Sequence, residues 1–298
     1  MKKLFLIAAT TCLIWSCTEP NQPEQPEPKE EINPMAAYFM NPVAWNGAYV
    51  EVFHAMIGCT TDTWPADITV NYGDSTRGTD GLVHSGSLKI HATDRLENAG
   101  AVVTPDFADY HVFGSSLSGT QTITHTGLNE AGNPVYAVKV TNGIIGGQKD
   151  FIYSEDTRRE LVKGLDENGR FLPSLAQHEY NITGHMTMVS HVDTLPGYTV
   201  TVDSLPMRIT LDEMYPTEGR MQIELDHPME FDLDFEDFQG KVAIQAIDLQ
   251  FTGKKPNGNY GAEMTLYIQM GLFTVPLTIQ CELNELGVVP ESVQYKWG

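Results

Sequence analysis

The amino-acid sequence predicts an all-β fold, either an antiparallel β-sandwich or an extended β-meander, that follows a disordered lipoprotein tether. Two observations predict this class. Apolar and polar residues alternate with a period of two in about a dozen segments, such as 120–126, 198–203 and 221–226. Short runs rich in Gly, Asn and Pro, such as 131–134 and 256–259, separate these segments and are typical of hairpin turns.

The first element is a predicted secretory signal peptide over residues 1–16. Lys2 and Lys3 precede an uncharged apolar run from residue 4 to residue 14, which is shorter than the roughly 20 residues that span a bilayer. Ser16 is small and stands directly before Cys17, as in bacterial lipoprotein signals. We therefore predict that Cys17 is lipidated and begins the mature chain. Cys12 is a rival acceptor, and an ordinary cleaved signal peptide is the alternative.

Residues 17–34 form the predicted tether. Five of the seventeen residues after Cys17 are proline, and most of the others are Glu, Gln or Asn. Such a segment cannot bury a core and stays extended in solvent, so it would hold a folded body off the lipid surface. Thr18 follows the acceptor where an Asp would favour the inner membrane, so we predict an outer-membrane location. The sequence leaves open whether the body faces the periplasm or the cell surface.

The folded body has two predicted parts. Residues 35–252 form a β-rich domain, either as one unit or as two similar halves near 68–145 and 180–252, and residues 253–298 form a C-terminal β extension packed on it. The length of the body is sufficient for one large all-β domain or two small ones.

Two segments have no unique prediction. The charged stretch 154–162 is compatible with a short helical turn or with the end of a strand. The stretch 35–56 mixes apolar residues with Pro42 and with Asn46 and Gly47, and it receives no firm assignment.

The charge of the chain excludes one class of partner. The formal net charge is −21, and loss of Lys2 and Lys3 with the signal peptide makes the mature chain more acidic. Nucleic acid would be repelled by such a surface. The predicted contacts are instead a membrane, through the lipid anchor, and a glycan or an envelope protein.

Cys59 and Cys281 are the two cysteines of the folded body. An even pair in an oxidising compartment is compatible with a disulfide. The alternative is two separate buried thiols, which sequence spacing does not exclude.

Several ordered segments carry a family resemblance. The chain contains ITVNYGD, DGLVHSG, GTQTITHTGL, GNPVY, VTNG, TRRE and ITG, in this order, between residues 68 and 184. This series resembles a family of uncharacterised Bacteroides-type (Bacteroidota) lipoproteins with repeated β-hairpin segments. The resemblance implies a β-rich, secreted, lipid-anchored protein and implies no activity. The family's paired cysteines are missing here, since Ser75 follows Asp74, so no family disulfide is carried over.

The sequence contains no recognisable catalytic motif. It lacks a Gly-x-Ser-x-Gly elbow, a phosphate-binding loop, a Cys-x-x-Cys pair and a His-Glu-x-x-His pair. We therefore predict that the protein is not an enzyme and uses no cofactor. An acidic row is the one metal candidate, and it is either a calcium site or cation-linked partner surface, or a solvated sheet face. Its members are Glu230, Asp232, Asp234, Glu236 and Asp237.

Two further features are weak binding or modification signals. An aromatic set is either a sugar-stacking platform or part of the core. This set comprises Tyr38, Trp45, Tyr49, Trp64 and Trp297. Three Asp-Ser/Thr-containing triplets are similar to the short O-glycosylation sequence of Bacteroides-type bacteria, with Ser75, Thr194 and Ser204 as acceptors.

These observations predict a non-catalytic outer-membrane lipoprotein with a binding or structural role at the cell envelope. One alternative is an accessory lipoprotein that captures glycans. The other is an envelope hydrolase with an unrecognised carboxylate site.

Overall fold

A computed structural model describes residues 34–193, 195–211, 215–235, 238–270, 273–284 and 287–297. The predicted signal peptide, the lipidation site Cys17 and nearly all of the tether lie outside these residues. The described chain forms one long helix and one large antiparallel sheet, which confirms the all-β prediction. No helix in the described part of the chain is long and apolar enough to cross a membrane.

The sheet is an open meander rather than a two-layer sandwich. Strands β1 to β13 lie in the sheet in the order of the sequence, each antiparallel to its neighbours, and β14 pairs with β12. The strands are β1 Ala66–Arg77, β2 Val83–Ala92, β3 Val102–Val112, β4 Ser115–Leu128, β5 Pro134–Ile145, β6 Phe151–Lys163, β7 Glu179–Ser190, β8 Tyr198–Thr210, β9 Gly219–Phe235, β10 Phe238–Lys254, β11 Tyr260–Met270, β12 Phe273–Asn284, β13 Gly287–Val288 and β14 Gln294–Trp297.

Burial alternates along the strands as the sequence pattern predicts. In β6, every second side chain from Phe151 to Leu161 is buried, because successive residues of a strand face opposite sides of the sheet. This settles the ambiguous stretch 154–162 as strand, so its helical alternative is wrong. The predicted boundary between residues 252 and 253 falls within β10, and the strands on both sides belong to the same sheet.

The helix α1 spans Pro34–Ile57 and occupies the stretch that the sequence left unassigned. Trp45, Tyr49 and Phe53 are fully buried and reach several strands. The ring of Trp45 lies 5.0 Å from Phe107 of β3, and that of Phe53 lies 5.6 Å from Tyr180 of β7. A helix buried on most sides shows no amphipathic stripe, which explains why its periodicity was not visible in the sequence.

A second apolar region lies in the C-terminal strands. Leu249 and Phe251 of β10 are buried with Leu266 of β11 and Leu277 of β12. Tyr215, from the connection between β8 and β9, packs its ring 5.4 Å from Tyr260 and donates a hydrogen bond to the Asn284 carbonyl. These residues join the same core as α1.

Candidate functional site

A buried cluster of ionisable side chains lies where α1 meets the first hairpin. Glu51 comes from α1, Asp80 from the β1–β2 turn and His84 from β2, and their ligand-type atoms lie within 4.8 Å of one another. Nε2 of His84 lies 2.8 Å from Oδ1 of Asp80, and Nδ1 lies 2.7 Å from the hydroxyl of Tyr110. The ionised carboxylate can only accept, so we assign the proton to Nε2, and the hydroxyl of Tyr110 donates to Nδ1.

Glu51 is held in its ionised form by donors on every side. Burial opposes ionisation, but hydrogen bonds from Thr79, Tyr72 and the backbone of Asp80 outweigh it and lower the pKa of the Glu51 carboxyl below its ordinary value. The backbone N–H and the hydroxyl of Thr79 each donate over 2.6 Å, and so does the hydroxyl of Tyr72. The carboxylate therefore fixes α1 to β1 and to the β1–β2 turn.

The donor set of this cluster is suitable for a transition metal, but its atoms are already engaged. Both oxygens of Glu51 and both ring nitrogens of His84 have hydrogen-bond partners. Oδ2 of Asp80 has none, and a Cβ built on Gly47 of α1 would lie 2.4 Å from it. The helix backbone thus covers this oxygen. His84 has 0% exposure, so the cluster is closed to solvent and is not an open metal or catalytic centre. Its role is to hold α1 against the first hairpin, and we call Glu51, Asp80 and His84 the buried lock.

A second buried ionic group fixes the helix to β6. The guanidinium of Arg159 donates to Glu155 over 2.9 Å and lies 3.7 Å from the ring centre of Tyr49. Asn46 of α1 accepts a further hydrogen bond from Arg159, and Tyr153 donates to Glu155. Burial disfavours the charged guanidinium, but Glu155 more than compensates and raises the pKa of Arg159. Both partners are buried, so this pair also lacks access to a substrate.

An open cleft lies at the C-terminal end of α1. It has a volume of about 350 Å³ and lies between the segment after the helix, the β2–β3 loop and the β6–β7 loop. The lining residues that matter here are Asp62, Trp64, Arg95, Glu97, Arg170 and Phe171. The cleft thus combines two guanidinium groups, two carboxylates and two aromatic rings.

The geometry of the cleft is fixed by contacts behind its walls. Arg95 donates to Asp62 over 2.9 Å and to the Thr61 carbonyl over 3.1 Å. The ring of Phe171 lies 4.8 Å from that of Phe53, edge to face. Nε1 of Trp64 is buried and has no hydrogen-bond partner. This nitrogen is closed to solvent, so Trp64 lines the cleft with other parts of its ring.

A second, shallower groove of about 310 Å³ lies on the sheet around Tyr267 of β11. Tyr267 is 37% exposed and faces Ala246 of β10 across the strand pair. The register of β10 shifts at Gln245 against both neighbouring strands, as at a β-bulge. Gln222 and Glu224 of β9 complete the groove.

The predicted aromatic platform is wrong for two of its members. Trp45 and Tyr49 are fully buried inside the core, because the helix that carries them is enclosed by the sheet. Trp64 lines the open cleft. Tyr38 lies in α1 and Trp297 in β14.

Cys59 and Cys281 are free thiols in this structure, as in the alternative of two separate thiols, and the disulfide stays a prediction. Cys59 follows α1 and lines the cleft, whereas Cys281 is buried in β12, near the other end of the strand order. A disulfide requires Cα atoms within about 7 Å of each other. One thiol lines the cleft after α1 and the other is buried in β12.

The acidic row lies on a two-stranded arm. Residues 231–235 of β9 pair with residues 238–242 of β10, beyond the last described pairs of these strands with β8 and β11. The register sets Asp232 opposite Lys241, and Asp234 opposite Gln239. Glu230 is exposed, and Glu236 and Asp237 lie outside the described residues. The calcium site stays a prediction.

The three modification candidates have different positions. Ser75 is exposed in β1. Ser204 lies in β8, and Thr194 lies outside the described residues. Exposure of Ser75 is the condition that enzymatic O-glycosylation needs, and the modification itself stays a prediction.

Sequence reasoning missed the buried lock and the cleft. Both depend on α1, which places Glu51 and the segment 59–64 against loops distant in sequence. Comparison with protein-family models, with curated proteins and with solved structures finds no match to this chain.

Proposed function

We propose that this protein is a non-catalytic, lipid-anchored component of the outer membrane whose β body binds a ligand at the cell envelope. One observation carries the non-catalytic part. Two buried clusters combine acids with bases, around His84 and around Arg159, and both have their hydrogen bonds within the protein. Catalytic groups must contact a substrate, whereas these groups fix α1 to the sheet.

The anchor is supported by the lysines, the short apolar run and Ser16 before Cys17. Its test is metabolic labelling with a palmitate analogue in the native host. Wild type and a Cys12→Ala variant should be labelled, and a Cys17→Ala variant should not be. Labelling of Cys17→Ala would overturn the anchor assignment.

Protease treatment of intact cells then determines which side the body faces. Digestion of the wild type on intact cells would place the body on the cell surface. Protection until the outer membrane is opened would place it in the periplasm. Release of the protein as a soluble species from wild-type cells would contradict the anchored model.

Glycan capture is a second candidate function, and the open cleft favours it. Trp64 and Phe171 supply aromatic faces, and the lining guanidinium and carboxylate groups supply planar hydrogen-bonding partners for sugar hydroxyls. The groove around Tyr267 offers a similar but shallower set. A glycan array probed with the purified lipoprotein tests this function, and an array without any signal would argue for a structural role.

The hydrolase alternative has a specific test in the same cleft. Asp62 and Glu97 are its carboxylates, and they already accept hydrogen bonds from Arg95 and from the Phe171 backbone. We expect no release of reducing ends from envelope or dietary polysaccharides by the wild type. Hydrolysis that disappears in Asp62→Asn or Glu97→Gln would replace the non-catalytic proposal.

A further inference from the structure

The charges that line the cleft at the end of α1 are balanced. Arg95 and Arg170 face Asp62 and Glu97, and Asp62 neutralises Arg95 through its 2.9 Å contact. The last turn of α1 also directs its carbonyl end, the negative end of the helix dipole, to this region. A strongly anionic ligand would meet these negative groups, and a cation would meet Arg170.

The cleft nevertheless offers hydrogen-bonding capacity of both kinds. The carboxylates of Asp62 and Glu97 accept hydrogen bonds, and the guanidinium groups of Arg95 and Arg170 donate them. No ion pair involves Arg170 among the residues that the structure describes, and its side chain is exposed at the rim. A ligand suited to this cleft carries both donors and acceptors and no net charge.

Aromatic rings define the shape of the ligand. Phe171 is held by Phe53 and by His178, whose ring lies 5.7 Å away, and Trp64 packs against the same core. Fixed rings reduce the entropy that binding costs. The C–H face of a sugar ring packs on such surfaces, while its hydroxyls reach the planar groups around them.

We propose that the cleft binds the end of a neutral saccharide, with one or two sugar rings against Trp64 and Phe171 and with sugar hydroxyls bonded to Arg170 and to the carboxylates of Asp62 and Glu97. The volume of about 350 Å³ is near the lower limit of ligand pockets and admits no longer segment. This assignment rests on the glycan-capture function and adds its ligand class and its site.

The test uses the full lipidated protein in a detergent without a sugar headgroup. Tryptophan fluorescence and calorimetry follow titration with glucose, galactose, mannose, N-acetylglucosamine and their common disaccharides, each up to about 50 mM. This range exceeds the millimolar Kd expected for so small a ligand. Glucuronate and galacturonate serve as charged counterparts. We expect at least one neutral sugar to bind, and the uronates to bind more weakly.

Variants locate the site. Arg170→Ala should weaken binding about tenfold, as loss of one charge-assisted hydrogen bond predicts. Trp64→Phe should weaken it several-fold, because the smaller ring offers less surface to the sugar. Arg158→Ala is the matched control, because Arg158 is an exposed arginine of β6 outside the cleft, and its affinity should equal that of the wild type.

Three results would overturn the proposal. Absence of binding by every neutral sugar excludes it, and tighter binding of the uronates excludes the neutral class. Binding that survives Arg170→Ala and Trp64→Phe but is lost in Tyr267→Ala would move the glycan site to the outer groove, so that glycan capture stands and this cleft assignment fails. Palmitate labelling is independent of all three, so the anchored model can stand when this site does not.

Discussion

At the scale of single residues, the contact between α1 and the β1–β2 turn depends on a glycine. A Cβ on Gly47 would lie 2.4 Å from Oδ2 of Asp80 and 2.7 Å from Cδ1 of Leu82. Asp80 is itself held by its hydrogen bond to His84 of β2. The distance between α1 and the first hairpin is therefore set where Gly47 contacts Asp80. Gly47 disfavours a helix in the sequence. In the structure, its lack of a Cβ allows α1 to pack closely on Asp80 and Leu82.

Gly47→Ala should therefore destabilise the protein by about 1–3 kcal/mol through overpacking. Urea unfolding followed by circular dichroism measures the change. Gly58→Ala is the control, because a Cβ there would lie 3.7 Å from its nearest neighbour, the carbonyl oxygen of His54. A Gly47→Ala variant as stable as Gly58→Ala would show that the β1–β2 turn shifts to make room for the methyl group, and it would contradict the prediction.

Glu51 gives a pH prediction with a defined sign. Its pKa is lowered in the folded protein from the ordinary value of 4.5, so near that pH the unfolded chain binds more protons and stability rises with pH. Its contribution is complete above about pH 4.5 and is lost as the pH falls through the lower folded-state pKa. As the pH is lowered from 6 to 3, the free energy of unfolding should fall more steeply for the wild type than for Glu51→Gln. Parallel curves would contradict the assignment.

At the scale of elements, the strands were predictable and the helix was not. β6 shows alternating burial along its length, which a period-two pattern encodes directly. α1 contains Pro42, and Ala44, Ala48 and Val52 are buried along with Trp45, Tyr49 and Phe53. The helix therefore has neither a polar stripe nor clean boundaries. The lock and the cleft were missed for the same reason, because their residues meet only once α1 is placed.

The pairing of α1 with β6 depends on the buried Arg159–Glu155 pair. Arg159→Met should cost about 3–5 kcal/mol, since it leaves the Glu155 carboxylate buried without its partner. The double variant Glu155→Leu/Arg159→Met should recover much of this loss, because both charges are removed. Chemical denaturation of the four proteins of this cycle measures the coupling. Additive losses would indicate that the two side chains act independently.

At the scale of the whole molecule, the two free thiols differ in their exposure to solvent and so report on two parts of the chain. Cys59 lies partly exposed at the cleft, and burial in β12 raises the pKa of the Cys281 thiol. Native protein treated with iodoacetamide should be alkylated at Cys59, and Cys281 should react only after unfolding. Peptide mass spectrometry measures both sites. A Tm that drops on addition of a reductant would instead reveal a disulfide.

The position of α1 has a mechanical consequence. The helix begins at Pro34, directly after the predicted tether, so tension between the anchor and the body acts first on an element packed inside the sheet. Displacing it requires many contacts to break at once. Tension on the other terminus acts on β14, which pairs with β12 over four residues and can detach one hydrogen bond at a time. With the proposed anchor, the body would be held at the end that resists force, and the β14 end would be the one that yields.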